Sequence, residues 1–393
     1  MIFLSGKNRI FLSFVLQQSF KGVFSQLKFP HMKILVIQQK RIGDVLTSTI
    51  LTNNLKKSFP DAQVDYMCYP NCVDVLIGNP NISEIIVLPN EIRKSYSKLF
   101  KFVMEIRRRK YTVIIDAYSK LETNLITLFS GADQKISYEK GYSKLFYDHN
   151  IKRLTNGTKS DIGLAIVNRL RLLEPIIKTP ITDYKPKIFL TEIEIDNAEK
   201  LLASHGISAS NQPLVMFGIL GSEWYKTYPL EKMAKIIDFT IEKTNANVLL
   251  NYIPSQIEEA QKIYDLCDAN TRKNIHFDLY GQDLRAFLGL LSRCAVLIGN
   301  EGGSVNMAKA LNVPTFSLFS PSVDKETWQI FENEPQNVSI HLKDLKPEIY
   351  VEHDEKYIKE HTFKYFDEYP LELILQKLET YLDTLGLLKT TVN

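Results

Sequence analysis

The sequence KILVIQQKRIGDVLTSTILTNNLKKSF, residues 33–59, contains a strand pattern followed directly by a helix pattern. After Lys33 the first residues form a short apolar run that is typical of a buried strand. Apolar residues then recur at helical spacing from Val45 to Phe59, and Pro60 ends the helix. A strand followed by a helix is the repeating unit of a parallel sheet that is covered on both faces.

The same alternation of strands and helices continues along the chain in two series. The first series has predicted strands at 33–37, 64–68, 85–88 and 113–117, and predicted helices at 45–59, 121–130 and 161–174. The second has predicted strands at 214–219, 247–251, 277–280, 295–298 and 315–319, and predicted helices at 233–241, 256–267, 284–291 and 305–311. We therefore predict an α/β protein with two doubly wound, Rossmann-like domains that face each other across a cleft.

The alternating pattern lapses before residue 190, where Thr179, Pro180 and Pro186 are typical of an interdomain linker. A chain of 393 residues is long enough for two domains that each bury a core. The predicted organisation is an N-terminal extension at 1–31, a first Rossmann-like domain at 32–178, a linker at 179–190, a second Rossmann-like domain at 191–369, and a C-terminal helix and tail at 370–393.

The charge of the chain is nearly balanced, with 48 Lys and Arg against 45 Asp and Glu. Residues 1–31 contain four basic residues and no acid, so the remainder of the chain has 44 basic and 45 acidic residues. Binding to nucleic acid requires a concentrated basic surface, so nucleic acid is not an expected partner. The composition, 45% hydrophobic and 24% charged, is that of a folded globular protein.

Residues 1–31 allow three interpretations: an over-long start, a surface or membrane-contacting arm, and an export signal. Their apolar run at 10–16 is shorter than the roughly 20 residues of a membrane span, and no small-residue cleavage site follows it. Met32 stands directly before the first strand, so we favour Met32 as the true start. Because no cleavage site supports export, we expect a cytoplasmic protein.

The cysteines and histidines do not indicate a disulfide framework or a metal site. Four cysteines are too few to form a stabilising disulfide framework in a chain of this length. Cys68 and Cys72 have no second ligand pair nearby, and the seven histidines lack the helical spacing of a metal site. We therefore expect no bound metal.

The loop after the first strand contains Lys40, Arg41, Gly43 and Asp44. Because Asp44 falls at the predicted start of a helix, its carboxylate could cap free backbone N–H groups, which is a structural role. The functional alternative places Asp44 at the mouth of the cleft, as a general base that takes a proton from an acceptor hydroxyl. The residue pattern alone leaves both interpretations open.

Two further loops connect predicted strands to predicted helices in the second domain. In the first of them, Gly221 and Ser222 could present donors to a phosphate, and Lys226 could supply a positive charge to a diphosphate. The structural alternative is a solvated lysine in a loop. Pro229 suits the first turn of the helix that follows.

The second of these loops begins with Gly299, Asn300 and Glu301 and runs into a helix. Gly302, Gly303 and Ser304 expose backbone N–H groups at the helix start, which favours an anion. Glu301 would repel a phosphate, so its expected partner is a ribose or sugar hydroxyl. A tight turn between strand and helix is the structural alternative.

In combination, these motifs resemble the lipopolysaccharide heptosyltransferase family, glycosyltransferase family nine, over roughly residues 32–340. The motifs are KILV at 33–36, RIGDV at 41–45, FSGA at 129–132, KISY at 135–138, KTYP at 226–229, IGNEGG at 298–303, Pro314, and FSP at 319–321. Each motif is short, and the resemblance depends on their order and spacing together.

The resemblance implies the two-domain glycosyltransferase fold called GT-B, with the acceptor on the first domain and a nucleotide-sugar on the second. It implies an inverting, metal-independent transfer of heptose or a related sugar without a cofactor, from a nucleoside-diphosphate donor with ADP-heptose as a candidate. Asp44 corresponds to the family's proposed catalytic base, and Lys226 to its diphosphate-binding lysine. The family's donor-binding loop corresponds to Glu301, Gly303 and Asn306.

The implied acceptor is a saccharide of the lipopolysaccharide core or another lipid-linked saccharide, so peripheral contact with the cytoplasmic face of the inner membrane is expected. Two residues depart from the family pattern: Glu301 stands in place of the usual aspartate and Asn306 in place of the usual histidine. Asn306 cannot exchange a proton near neutral pH. The departures leave a non-catalytic nucleotide-sugar-binding homologue as the alternative function.

Overall fold

The first sheet of the computed structural model consists of six parallel strands in the order β3-β2-β1-β4-β5-β6. The model describes residues 32–155, 162–208, 212–332 and 335–389, so the predictions for residues 1–31 lie outside the described residues. The strands are β1 (Lys33–Ile37), β2 (Gln63–Cys68), β3 (Glu84–Val87), β4 (Val113–Asp116), β5 (Gln134–Tyr138) and β6 (His149–Ile151). The helices are α1 (Ile42–Ser58), α2 (Tyr96–Arg108), α3 (Leu121–Phe129) and α4 (Leu164–Arg171).

The second sheet consists of five parallel strands in the order β11-β10-β9-β7-β8. Its strands are β7 (Leu214–Gly218), β8 (Asn247–Asn251), β9 (Val296–Asn300), β10 (Thr315–Leu318) and β11 (Asn337–Ile340). The helices of this half are α5 (Glu192–Ser204), α6 (Leu230–Thr244), α7 (Ile257–Leu266), α8 (Leu284–Leu291), α9 (Gly303–Ala310), α10 (Lys325–Trp328), α11 (Ile349–Glu352), α12 (Glu355–Glu360), α13 (Thr362–Asp367) and α14 (Leu371–Thr384).

The predicted α/β fold with two doubly wound parallel sheets is confirmed. In both sheets the strand order reverses beside the first strand, between β1 and β4 and between β7 and β9. Ligands of such folds bind at the carboxyl ends of the strands at this reversal. The candidate loops after β1, β7 and β9 therefore lie at the expected binding edges. The domain boundaries proposed from the sequence stay a prediction.

One predicted strand is wrong, and several elements were not predicted. Residues 277 and 278 form a turn and residues 279 and 280 belong to no regular element; Phe277 stacks on Tyr252 with 5.4 Å between ring centroids. Near this turn only Ile275 bridges to a strand residue, Val248. The sequence analysis did not predict β5, β6, β11, α2, α5 or the short helices α10 to α13.

Helix α1 is buried on all sides rather than on one stripe. Every residue from Val45 to Leu55 is buried, including hydroxyl-bearing side chains that would be costly to bury unpaired. These hydroxyls donate to carbonyls of the same helix; for example, Thr47 Oγ1 donates to Gly43 O at 2.8 Å and Ser48 Oγ to Asp44 O at 2.8 Å. The internal hydrogen bonds allow a polar helix to pack between the two sheets.

The apolar core continues from one sheet to the other. Ile34 and Val36 of β1 belong to the same buried cluster as Met216 of β7 and Leu297 of β9, through side chains of the helices between them. Alternate residues of β1, Leu35 and Ile37, pack on α2 on the opposite face of the first sheet. Helix α1 and helix α9 meet in this shared core, which brings the loop after β1 to the loop after β9.

Candidate active site

A cavity of about 310 Å³ opens at the carboxyl ends of β1, β4 and β5. Thr327 and Trp328 of α10 line it from the second sheet's side, so the cavity lies between the two halves of the molecule. Its lining residues are Gln38, Asp44, Ala117, Tyr118, Lys120, Tyr138, Lys140, Arg153, Ala165, Asn168, Arg169, Thr327 and Trp328. The predicted base Asp44 therefore faces a space that a small substituent of an acceptor can enter.

Asp44 lies in the first turn of α1 and pairs with a buried arginine. Arg169 Nη2 donates to Asp44 Oδ1 at 2.6 Å. The same guanidinium donates from Nε to Ser48 Oγ and from Nη1 to Ala165 O, both at 2.8 Å. The start of α1 has no side-chain cap, so the capping role considered for Asp44 is not what the structure records. Arg169 fixes the Asp44 carboxylate at the cavity wall.

The cavity wall is strongly basic. Lys120, Lys140 and Arg153 line it in addition to Arg169, and among the described lining residues Asp44 is the single acid. Lys140 Nζ donates to Ser119 O at 2.6 Å and to Tyr118 O at 3.3 Å. Burial lowers the pKa of Lys140, with the nearby positive charge of Arg153 as a smaller contribution. The surplus of positive charge favours an anionic ligand.

The structure separates the three residues predicted beside Asp44. Lys40 and Arg41 are exposed and do not line the cavity. The positive φ of this loop is at Arg41, at 64°, rather than at the glycine. Gly43 instead allows a close approach of the two halves: a Cβ there would lie 3.1 Å from Asn306 Nδ2.

The loop after β7 holds Gly221, Ser222 and Lys226. A Cβ at Gly221 would lie 2.5 Å from the carbonyl oxygen of Lys226, so only glycine fits this turn. The N–H of Gly221 donates to Thr227 Oγ1 at 3.1 Å and is therefore not free for a phosphate. Ser222 is exposed and lines a separate, more apolar cavity of about 600 Å³ on the other side of the loop.

Lys226 and Glu301 form an ion pair across the end of the second sheet. Lys226 Nζ donates to Glu301 Oε2 at 3.4 Å, and both side chains are largely buried. The residue expected to bind the diphosphate and the residue expected to accept from a hydroxyl are therefore paired with each other. A diphosphate that binds Lys226 must replace this carboxylate or join it.

Helix α9 begins two residues after Glu301, and its start lies beside Gly43 of α1. It begins at Gly303 without a side-chain cap at Gly302, which leaves its first N–H groups directed at the cleft. Ser304 is half-buried at this start. Asn306, one turn further on, is buried against Gly43 of the first half. The predicted donor loop and the Asp44 loop are thus in contact.

Arg169, Lys120, Lys140 and Arg153 were missed by the sequence analysis. Arg169 lies in a predicted helix at a position where the apolar stripe Ile166, Leu170 and Leu173 faces inward. A basic residue on a buried helix face requires an acidic or polar partner. The position of Arg169 in this stripe was the signal in the sequence that could have identified it. Lys140 and Arg153 follow short strands that the sequence pattern did not predict.

A family model described as glycosyltransferase family 9 (heptosyltransferase) matches residues 99–357, about two thirds of the chain. The chain belongs to glycosyltransferase family 9. A relative with a similar sequence is the lipooligosaccharide heptosyltransferase 2 of Haemophilus ducreyi, 26% identical over 302 residues that cover 74% of this chain and 84% of the relative.

Solved structures show the same fold as this glycosyltransferase. A family 9 glycosyltransferase from Veillonella parvula superposes with a TM-score of 0.71 at 19% identity and covers 90% of this chain and 97% of its own. The ADP-heptose lipopolysaccharide heptosyltransferase II of Escherichia coli gives a TM-score of 0.62 at 19% identity, with coverage of 88% and 100%. The GT-B fold expected from the motifs is confirmed.

In the glycosyltransferase, three separated family motifs come together around Lys226. Asn300 Oδ1 accepts from the N–H of Tyr228 at 2.8 Å, and Asn300 Nδ2 donates to Gly218 O at 3.1 Å. Ser320 Oγ donates to Tyr225 O at 2.6 Å. The KTYP motif is therefore held by the IGNEGG motif, and the residue directly before it is held by the FSP motif.

Proposed function

We propose that this glycosyltransferase transfers heptose or a closely related sugar from a nucleoside-diphosphate donor to an anionic saccharide of a lipopolysaccharide core or another lipid-linked saccharide. The observation that carries the proposal is the Asp44–Arg169 pair at the wall of a basic cavity, next to the contact between Gly43 and Asn306 of the donor loop. The names of the relatives support heptose as the sugar and ADP as the leaving group.

The proposed reaction is a single displacement with inversion. The carboxylate of Asp44 takes the proton of an acceptor hydroxyl while the hydroxyl oxygen forms a bond to the anomeric carbon. The bond between that carbon and the diphosphate oxygen breaks at the same time, and the nucleoside diphosphate leaves with the bonding electrons. One attack from the face opposite the leaving group inverts the configuration of the anomeric carbon.

The leaving group is proposed to be stabilised by protein groups rather than by a metal. Lys226 exchanges Glu301 for the diphosphate, and Glu301 then accepts from a ribose or sugar hydroxyl. The free N–H groups at the start of α9 point to the same region, where negative charge develops. Among the described residues, no cluster of three or more His, Cys, Asp and Glu is arranged to hold a metal ion.

The acceptor is proposed to enter the basic cavity. Lys120, Lys140 and Arg153 would bind a carboxylate or phosphate group of the saccharide, and the hydroxyl beside that group would reach Asp44. Since the cavity lies between the two halves, donor and acceptor would meet where water is largely excluded.

Asp44→Asn is the direct test of this proposal. We expect the variant to lose transfer by at least about a thousandfold while the Kd for ADP, measured by calorimetry, changes by less than about threefold. Asp183→Asn, at a half-buried position away from the cavity, is the control and keeps full activity. Turnover retained by Asp44→Asn contradicts the role of Asp44, and a wild-type protein that binds ADP-heptose without turnover on any core extract supports the non-catalytic alternative.

The donor and acceptor can be identified by mass spectrometry of the core oligosaccharide from a deletion strain. The proposal expects the loss of one heptose or related residue next to an anionic sugar. A core of unchanged mass contradicts it.

A further inference from the structure

One wall of the basic cavity comes from the second half of the molecule and carries a tryptophan. Trp328, the last residue of α10, lines the cavity together with Thr327. The other tryptophan of the chain, Trp224, stacks on Phe363 with 5.5 Å between ring centroids. Among the described residues, no ring stacks on Trp328 and no group accepts a hydrogen bond from its indole N–H. Trp328 therefore brings an aromatic surface without a ring partner to the wall of the cavity.

The first half of the molecule supplies mainly charge to the same cavity. Lys120, Lys140 and Arg153 line it, and the guanidinium of Arg153 lies over the ring of Tyr138, 3.9 Å from the ring centroid. That face of Tyr138 is thus occupied by a cation that is attracted to it. The charged groups of a saccharide therefore find their partners on the first half, whereas Trp328 is placed to contact an uncharged part.

The end of α10 lies directly against the start of α4. Gly163, the residue before α4, has a φ of 81°, and a Cβ there would lie 2.9 Å from the carbonyl oxygen of Gln329. A side chain at Gly163 would push Gln329, and with it the neighbouring Trp328, away from α4. Arg169 of α4 lines the same cavity as Trp328. The tryptophan and the partner of the proposed base therefore belong to one site.

The segment that carries α10 is anchored at both ends to elements of the proposed donor site. Before α10, Ser320 Oγ donates at 2.6 Å to the carbonyl oxygen of Tyr225, the residue before the lysine proposed to bind the diphosphate. After α10, Lys309 Nζ of α9 donates to Ile330 O at 2.7 Å and to Glu332 Oε1 at 2.8 Å. The side chains of Lys309 and Glu332 are both buried, and breaking a buried ion pair is costly. The donor half therefore fixes the backbone on both sides of the tryptophan.

We propose that Trp328 is a specificity-determining residue for the acceptor and that its indole packs on the C–H face of the acceptor's sugar ring. The inference rests on the proposed function and adds a contact from the donor half to the acceptor. One face of many pyranose rings presents C–H groups, whose partial positive charge suits the negative face of an aromatic ring. Because the cations of the first half bind the charged group of the same saccharide, Trp328 selects acceptors whose ring has an unsubstituted face toward the second half.

An acidic sugar suits the composition of this cavity better than the base of the donor does. The cavity of about 310 Å³ is at the lower end of the roughly 300–1,000 Å³ of small-molecule sites. An uncharged base would leave Lys120, Lys140 and Arg153 without an anion, because the diphosphate of the donor is proposed to bind Lys226. An acidic saccharide supplies both an anion for the cations and a ring face for Trp328.

The test uses an acceptor that dissolves in water. The probe is the core saccharide of the deletion strain, delipidated so that binding and transfer are measured without vesicles or detergent. In the described part of the chain, no helix has both the length and the apolar character of a membrane span.

Steady-state kinetics of Trp328→Phe and Trp328→Leu test the contact with the acceptor. Phe keeps a ring face, so the acceptor KM should stay within about threefold of wild type, whereas Leu keeps only apolar bulk and should raise it about tenfold or more. The kcat and the donor KM should change by less than about threefold in both variants. Glu326→Gln is the control on α10, since Glu326 is exposed and pairs with Lys343, and it should behave like wild type.

A merely structural role of Trp328 predicts a different result. Part of its side chain packs on the core shared by the two sheets, so a structural role would lower the thermal unfolding temperature of both variants and leave their acceptor KM values equal. Equal acceptor KM values for Trp328→Phe and Trp328→Leu overturn the inference.

Fluorescence measures the same contact without turnover. In the Trp224→Phe protein, Trp328 is the single tryptophan. Its emission should change saturably with the delipidated saccharide and only weakly with ADP. An emission that does not respond to the saccharide, or that responds as strongly to ADP, overturns the inference.

These outcomes separate the inference from the proposed function. A wild-type protein that transfers sugar, with a Trp328→Leu variant whose acceptor KM is unchanged, overturns the inference and leaves the proposed function intact. A protein whose Trp328 emission responds to the saccharide, but which shows no transfer, contradicts the proposed function and supports the contact.

Discussion

At the scale of single residues, Arg169 determines where the Asp44 carboxylate can point. Its guanidinium donates in three directions, to Asp44, Ser48 and Ala165, so the arginine cannot rotate without breaking two other hydrogen bonds. The pairing occupies Asp44 Oδ1 and leaves Oδ2 without a described partner, on a residue that lines the cavity. A fixed carboxylate with one free oxygen is what proton abstraction from an acceptor hydroxyl requires.

Arg169→Gln should therefore lower kcat by about a hundredfold while the KM for the donor changes by less than about threefold, because a misplaced base slows the chemical step without touching the donor site. Steady-state kinetics at saturating acceptor measure both quantities. Arg171→Gln is the matched control on the same helix, since Arg171 pairs with the exposed Glu174, and it should leave kcat unchanged. An equal loss of kcat in both variants would mean that substitutions on α4 act through the stability of the protein and not through the position of Asp44.

The sequence predicted Asp44 but not Arg169, and the reason is sequence separation. Asp44 follows the first strand directly, and strand order alone places it at the binding edge. Arg169 lies 125 residues further along the chain, so its contact with Asp44 depends on how α4 packs on α1. The Lys226–Glu301 pair was missed for the same reason: each residue was assigned its own ligand, and their contact is a tertiary feature.

At the scale of elements, the reversal of strand order in the second sheet depends on Gly299. This residue of β9 has a φ of 143°, and a Cβ there would lie 2.3 Å from the carbonyl oxygen of Gly218 on β7. The two strands therefore approach each other more closely than side chains allow. Asn300, the next residue, uses this approach to donate to Gly218 O and to hold the Lys226 loop.

Gly299→Ala should lower the free energy of unfolding by about 3 kcal/mol or more, because the added carbon meets backbone that cannot move aside. Urea unfolding followed by circular dichroism measures the change. Gly302→Ala is the control, since nothing lies within 4 Å of a Cβ at that position, and its stability should stay within about 0.5 kcal/mol of wild type. A Gly299→Ala protein as stable as Gly302→Ala would contradict the close approach.

Element prediction was successful where the apolar runs were long and failed where edge strands were short. β1, β8 and α8 have the bounds that the sequence pattern predicted. β6 and β11 are edge strands of three and four residues, which are too short for a periodic signal. At 277–280 the aromatic residues suggested a strand, but Phe277 packs its ring on Tyr252 and Tyr264 instead of pairing its backbone.

At the scale of the whole molecule, Arg285 connects parts of the chain that the sequence analysis placed in separate units. Its Nη1 donates to Asp74 O of the first half at 2.9 Å, and its Nη2 donates to Phe189 O at 2.8 Å in the predicted linker. Nε and Nη2 also donate to the carboxylate of Glu194 on α5, both at 2.6 Å. Two domains and a cleft were predictable from strand-helix alternation, but this connection and the shared core were not, because they join residues more than 90 positions apart.

The Arg285–Glu194 pair should make the stability of the assembled molecule depend on pH. Hydrogen bonds from Arg285 lower the pKa of Glu194 to about 2, below the roughly 4.3 of an unfolded chain. The pair therefore stabilises the fold above about pH 4.3, and this contribution is lost as the pH falls through about 2.

Glu194→Gln should lower the free energy of unfolding at pH 7 by about 1.5–3 kcal/mol. The difference from wild type should shrink steadily when urea unfolding is repeated from pH 5 to pH 3. The control is Arg293→Gln, which breaks the exposed pair between Arg293 and Glu199 of α5. It should lower the free energy of unfolding by less than about 1 kcal/mol. A Glu194→Gln effect that stays constant with pH would contradict the role of the charge pair.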